Sequence, residues 1–146
     1  MKVIDIKNVH KTYRKAEVEV HAVRGINLNF SEGEFAAIVG PSGSGKTTLL
    51  NMIGALDDPT EGEILVNSTN VGNLKTSEKI DFRMWNIGFV FQAYNLIPVL
   101  TAKENVEFVM HLQGKPKAER EKRAKELLEA VGLGDRMDAR IGQLSG

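Results

Sequence analysis

Apolar and polar positions alternate with a period of two over residues 4–30. Ile4 and Ile6 oppose Asp5 and Lys7. Val18, Val20 and Ala22 oppose Glu17, Glu19 and His21, and Ile26, Leu28 and Phe30 alternate with Asn27 and Asn29. This patterning predicts half-buried, antiparallel strands, because successive side chains of a strand point to opposite faces. Ser31-Glu32-Gly33-Glu34 reads as a turn. The continuous apolar run Phe35–Val39 then predicts a strand buried on both faces, followed by a glycine-rich loop and a helix from about Lys46 to Leu56. Asp57-Asp58-Pro59-Thr60-Glu61-Gly62 breaks that helix, Ile64 and Val66 mark a further short strand, and Gly88–Phe91 reads as a second buried strand. The polar stretch from Val71 to Asn86 has no clear period. From Thr101 the period becomes helical: Thr101-x-x-Glu104 has capping-box spacing, Val106, Val109 and Met110 share a face, and Gly114 can stop the helix. Pro116 suits the start of another helix, whose stripe is Ala124, Leu127, Leu128 and Val131, closed by Gly132 and Gly134.

Composition narrows the picture. A chain of 146 residues with 42% hydrophobic content is long enough, and apolar enough, for a compact domain. Lys plus Arg and Asp plus Glu both number 19, so no net field favours nucleic acid or an acidic membrane. The absence of cysteine removes disulfides, thiol chemistry and Cys-based zinc sites. No stretch approaches the ~20 apolar residues of a membrane-spanning helix, so a membrane role would come through a partner.

The chemistry concentrates in Gly40-Pro41-Ser42-Gly43-Ser44-Gly45-Lys46-Thr47, which fits G-x-x-x-x-G-K-[ST] at every fixed position. A polyphosphate needs backbone N–H groups turned inward at close range, which favours residues without a Cβ at Gly40, Gly43 and Gly45. The helix starting at Lys46 adds its positive end. In this pattern Lys46 reaches the β- and γ-phosphates, Thr47 places its hydroxyl on Mg²⁺, and Thr48 is placed to bond the α-phosphate. A buried strand before the loop and a helix after it supply the context the motif requires.

Four further features separate P-loop families. The run Gly40–Leu50 closely resembles the loop of ABC ATPases, Tyr13 in Lys11-Thr12-Tyr13 matches that family's adenine-stacking aromatic, Phe89-Val90-Phe91-Gln92 matches its Q-loop, and Leu144-Ser145-Gly146 is similar to the opening of its LSGGQ signature. The resemblance covers essentially the whole chain. Gln92-Ala93-Tyr94-Asn95-Leu96-Ile97-Pro98-Val99-Leu100-Thr101-Ala102 with Glu104-Asn105-Val106 is most similar to the lipoprotein-release and macrolide-export ATPases.

The resemblance implies an α/β P-loop NTPase fold of the ABC ATPase type, incomplete here. Its parts would be an N-terminal antiparallel β-subdomain, a partial parallel-sheet core with the P-loop helix (together 1–92), and a C-terminal helical subdomain (93–146). It implies ATP and Mg²⁺ as ligands, Gln92 as a Mg²⁺ ligand and γ-phosphate sensor, and Ser145 and Gly146 contacting the ATP held by a second subunit. The partners implied are that second ATPase subunit, closed head-to-tail, and a transmembrane permease; nucleic acid is not among them. The location implied is the inner face of the cell membrane. The family's Asp–Glu at the end of a later apolar strand, and its later His, have no counterpart in these residues, so the expectation is ATP binding with negligible hydrolysis, and marginal stability or association from exposed sheet edges. A soluble ABC protein of DNA repair or translation and a P-loop small-molecule kinase stay open as alternatives.

Other features carry less. His10, His21 and His111 have no partner at metal-ligand spacing, which favours surface or structural roles. The basic run from Lys115 to Lys125, interleaved with Glu119, Glu121 and Glu126, reads as a solvated helix face with i,i+4 pairs. Arg83 and Trp85 have no role derivable from the sequence.

Overall fold

The computed structural model describes every residue except Ala16, Gln92, Tyr94, Leu144, Ser145 and Gly146. Two compact units result, Met1–Ile87 and Gly88–Gly146.

The first unit is built on two long strands, β1 (Lys2–Lys15) and β2 (Val18–Ser31), which pair antiparallel. β3 (Glu61–Val66) pairs antiparallel with the other edge of β1, and the short β4 (Thr69–Asn70) follows, giving the order β2-β1-β3-β4. Ile4 faces both Phe30 and Val66, and Ile6 faces both Leu28 and Ile64, so the apolar positions of three strands fall on one face. The register shifts between Ile6 and Val9 against β2, and between Lys7 and His10 against β3. At the latter shift Gly62 (φ +88°) passes so close to β1 that a Cβ would meet the Asn8 carbonyl oxygen at 2.3 Å, which demands glycine there.

α1 (Lys46–Ile53) lays Leu49 and Met52 on that face, where they join Ile6, Val9, Val23, Ile64, Val66 and Val71 in the buried core. It is shorter than the expected 46–56. The Gly54 N–H bonds back to the Leu50 carbonyl, and buried Ala55 turns to φ +53°, a left-handed conformation that ends the helix. The stretch without a clear period contains α2 (Thr76–Asn86), none of whose residues is fully buried. Phe82 packs against the core, and the Arg83 guanidinium donates to the Ala55 carbonyl at 2.6 Å, so α2 is held by a few anchors rather than by a stripe.

Three expectations are corrected. Phe35–Val39 is not a strand: it pairs with no other described residue, only Ile38 packs on the core, and Phe35 is fully exposed. Gly88–Phe91 likewise has no ladder. Val90 is fully exposed, while Phe89 and Phe91 stack on each other with ring centroids 5.4 Å apart. A parallel ladder needs a neighbouring strand on which to hydrogen-bond, and every strand pairing among the described residues is antiparallel. Val18 and Val20, expected half-buried, are mostly exposed, because the sheet face is covered only as far as α1 and its flanking residues reach.

The second unit contains α3 (Ala102–Leu112) and α4 (Lys117–Ala130). The capping box at Thr101 forms as its spacing predicts: the Thr101 hydroxyl accepts from the Glu104 N–H at 3.2 Å, and the Glu104 carboxylate accepts from the Thr101 N–H at 2.8 Å. The bond from the Thr101 N–H, then the Thr101 hydroxyl, holds the Glu104 carboxyl below its ordinary value. Asn105 ties down the preceding loop, accepting from the Ile97 N–H at 2.8 Å and donating to the carbonyls of Ile97 and Thr101. Ala124 and Leu128 are buried, and the charged run forms the i,i+4 pairs Lys115–Glu119, Lys117–Glu121 and Lys125–Glu129. Gly132 (φ +76°) closes α4.

Candidate nucleotide-binding site

The glycine-rich loop leads directly into α1. Its last residue, Gly45, is the N-cap at φ +87°, and a Cβ there would meet the Ala22 carbonyl oxygen at 2.3 Å. Glycine is therefore required twice over, by backbone conformation and by the close approach to β2. No side chain caps α1 and no acidic residue lies in its first turn. The first bond within the helix is Leu49 N–H to the Gly45 carbonyl at 2.9 Å; among the described residues nothing accepts from the N–H groups of Lys46, Thr47 and Thr48. Three donors and the positive end of the helix dipole thus converge on one place.

That place is a cavity of about 290 Å³ lined by Ser42–Thr48 with Val20, His21 and Ala22 of β2. Lys46 is drawn back over the loop, where its ammonium donates to the carbonyls of Gly40 at 2.8 Å and Pro41 at 2.7 Å and lies 3.4 Å from the Ser44 hydroxyl. A cation resting on loop acceptors, uncapped helix donors and a lining without Asp or Glu fit a polyphosphate tail. The Thr47 side chain is exposed at the same helix start, as a hydroxyl ligand of phosphate-bound Mg²⁺ needs to be. No group of three or more His, Cys, Asp or Glu side chains among the described residues could hold a metal by itself, which suits a cation that arrives with the phosphates.

A larger groove of about 590 Å³ lies elsewhere, lined by Ile4, Phe30, Ala36, Ile38 and Leu50 with Glu32 and Glu34. It offers no cation, and its two carboxylates repel an anion. It is the apolar face beside the unpaired segment 35–39 and not a phosphate site.

Tyr13 sits on β1 opposite Val20, one of the residues lining the cradle. Its hydroxyl donates to the Asp57 carboxylate at 2.6 Å, and the Lys11 ammonium lies 4.9 Å from its ring centroid. The bond to Asp57, then burial, raises the phenol above its ordinary value, and a bond with the Thr48 hydroxyl partly offsets this. For Asp57 burial acts upward, but hydrogen bonds from Lys11, Tyr13 and the Asp58 N–H together outweigh it and hold the carboxyl below its ordinary value.

The structure thus brings Ser42–Thr48 together, with the carbonyls of Gly40 and Pro41 beneath Lys46, and places Tyr13 beside Thr48. Gln92, Ser145 and Gly146 lie outside the described residues. Sequence reasoning missed the lining residues Val20, His21 and Ala22, and it missed Lys11 and Asp57. The His21 ring is held by Thr12, its Nδ1 3.0 Å from the Thr12 hydroxyl. The Lys11-x-Tyr13 spacing, which puts both residues on one face of a strand, was the available signal for the Lys11 contact.

A bare helix start behind a glycine loop defines a phosphate-binding P-loop protein. Comparison with known proteins then gives the family: the ABC transporter model matches residues 23–146, and the chain belongs to that family. It is 51% identical over 145 residues to an uncharacterized ABC transporter ATP-binding protein of Thermotoga maritima, covering 99% of this chain and 62% of that one. It is 48% identical over 143 residues to the macrolide export ATP-binding/permease protein MacB of Brucella abortus, covering 98% of this chain and 22% of that protein. Among solved structures it matches the ATP-binding cassette MJ0796, determined as a dimer in a post-hydrolysis state bound to ADP and Pi. The TM-score is 0.91 at 45% identity, covering 97% of this chain and 63% of that one. The chain thus spans less than two thirds of the length of these relatives. The α/β fold class and the family expected from the sequence both hold.

Proposed function

We propose that the chain is the nucleotide-binding part of an ABC transporter ATPase subunit, which takes ATP with Mg²⁺ and couples its binding and hydrolysis to work by a membrane partner. The observation that carries this reading is the uncapped start of α1, with three free N–H donors and Lys46 poised over them. In this reading the donors of Lys46–Thr48 hold the phosphates. Lys46 exchanges its bonds to Gly40, Pro41 and Ser44 for phosphate oxygens, Thr47 offers its hydroxyl to Mg²⁺, and Tyr13 takes the adenine on its ring. Gln92 is assigned to Mg²⁺ and to sensing the γ-phosphate, and Ser145 and Gly146 to the ATP of a second subunit.

Two family features support the partners. The matched cassette MJ0796 is dimeric, and MacB joins an ATP-binding region and a permease in one chain by name. We assign this chain a second copy and a transmembrane permease, and a place at the inner face of the membrane. No helix among the described residues is long and apolar enough to cross a membrane. The lipoprotein-release and macrolide-export group is the proposed branch, supported by the 48% identity to MacB.

Equilibrium binding of Mg-ATP to the wild type and to Lys46→Ala tests the site. A charge-assisted hydrogen bond contributes about 2 kcal/mol, so the substitution is expected to weaken binding by about thirtyfold. Equal affinity of the two proteins would remove Lys46 from the site and overturn the reading.

A further inference from the structure

Asp57 is absorbed by none of the roles above, yet its carboxylate accepts from Lys11, Tyr13 and the Asp58 N–H. It closes the turn after α1, and its own N–H reaches back to the Asn51 carbonyl in that helix at 3.3 Å. One carboxylate oxygen accepts from the Lys11 ammonium at 2.5 Å and the other from the Tyr13 hydroxyl at 2.6 Å. Lys11 also donates to the Asp58 carbonyl at 2.6 Å. Further along the turn, the Thr60 N–H donates to the His10 carbonyl at 2.8 Å, and the Thr60 hydroxyl accepts from the Thr12 N–H at 3.0 Å. The turn that follows the phosphate-binding helix is therefore stitched to residues 10–13 of β1, the strand end that carries Tyr13.

This arrangement fixes the phenol ring. The phenol oxygen lies on the ring's own rotation axis, so its bond to the Asp57 carboxylate fixes where the ring sits and selects the side-chain rotamer that keeps it there. One ring face is covered by the Lys11 ammonium. A flat aromatic group stacking on Tyr13 must use the opposite face, and it meets a ring whose place is already set and whose electron-rich face is polarised by a cation. A phosphate tail without a base makes no use of this ring. Asp58 provides a contrast: it has the same charge one residue later, but it pairs with Lys79 on α2 and not with the ring.

We propose that Asp57 is a positioning residue that locks Tyr13 as the base platform of the nucleotide site, so that it sets preference for a base-bearing nucleotide over the bare polyphosphate. The proposal rests on the nucleotide-binding reading above and deepens it.

The test compares binding of Mg-ATP and of inorganic triphosphate with Mg²⁺ to the same 146-residue protein. Loss of an aromatic–base stack costs about tenfold in affinity, so Tyr13→Ala is expected to weaken ATP by about tenfold and triphosphate by less than about twofold. Asp57→Ala is expected to lower the ATP-to-triphosphate preference by about fivefold, because the ring remains but is no longer held. Tyr13→Phe, which removes the tether from the other side and keeps Asp57, is expected to lower it by about threefold. Asp58→Asn is expected to leave it unchanged. If Asp57→Ala fails to fold, Tyr13→Phe carries the test alone. Equal weakening of both ligands by Asp57→Ala, or an unchanged preference in Tyr13→Phe, would overturn the positioning role. An unchanged preference in Tyr13→Ala would overturn the platform reading of Tyr13 itself. Failure of the wild type to bind either ligand would overturn the nucleotide-binding reading beneath both.

Discussion

Two helices of this chain begin in opposite ways. α3 starts with all its first donors satisfied: the Ala102 N–H bonds to the Ala139 carbonyl and the Lys103 N–H to the Met137 carbonyl, both at 2.9 Å, and the Glu104 N–H bonds to the Thr101 hydroxyl. An acidic residue, Glu104, stands in its first turn. α1 starts behind a glycine, with no side-chain cap, no acidic residue and three N–H groups facing a cavity. Helix starts are normally capped because an orphan donor costs free energy. The chain builds a complete cap at Thr101. The start of α4, behind Pro116, also lacks a side-chain cap but carries Glu119 in its first turn, whereas the start of α1 has neither and turns its donors into a cavity beside Lys46. The difference between a structural helix start and a binding one is therefore visible in where the donors go.

Gly45→Ala should have the largest effect on that contrast. The new Cβ would lie 2.3 Å from the Ala22 carbonyl oxygen at a φ of +87°, and clash plus backbone strain are expected to destabilise the first unit by about 3 kcal/mol. Chemical denaturation would measure the loss. A variant as stable as the wild type would mean that β2 and the loop are not in close contact. Thr101→Ala removes a cap and leaves the cradle alone. It should cost about 1 kcal/mol, with Mg-ATP affinity unchanged by titration, whereas a loss of nucleotide affinity would mean that the two helix starts are not independent.

The smallest effect concerns pH. Asp57 is held below its ordinary value in the folded chain, so its contribution to stability is complete above about pH 4 and is lost as pH falls through the depressed native value. Tyr13 is raised, so its contribution is complete below about pH 10 and is lost as pH rises through the raised value. The difference in Tm between wild type and Asp57→Ala should therefore be widest between these limits and shrink outside them. Both groups are partly exposed, which keeps the effect small.

Much of this was legible in the sequence. Period-two alternation gave β1 and β2 because each strand has one covered face, and the spacing of Thr101 and Glu104 gave the start of α3 because the cap is a local structure. Gly40–Thr47 gave the glycine loop and the uncapped start of α1, because a close backbone approach dictates residue types at fixed positions. What failed was non-local. Phe35–Val39 has the composition of a buried strand, but a ladder requires a neighbour, and composition does not reveal whether one is present. α2 has no stripe to read, since Phe82 and Arg83 hold it from single points. Asp57 read as a helix breaker, and its bonds to Lys11 and Tyr13 join residues 44 or more positions apart, which no local pattern encodes.

The most direct test of the bare helix start is amide hydrogen exchange with and without saturating Mg-ATP, read over residues 43–49 and over residues 101–105. The account expects strong new protection of the amides of Lys46, Thr47 and Thr48, no change at Ala102–Asn105, and loss of the new protection in Lys46→Ala. Unaltered exchange at 46–48 in a sample shown to hold ATP, or equal protection at both helix starts, would contradict it.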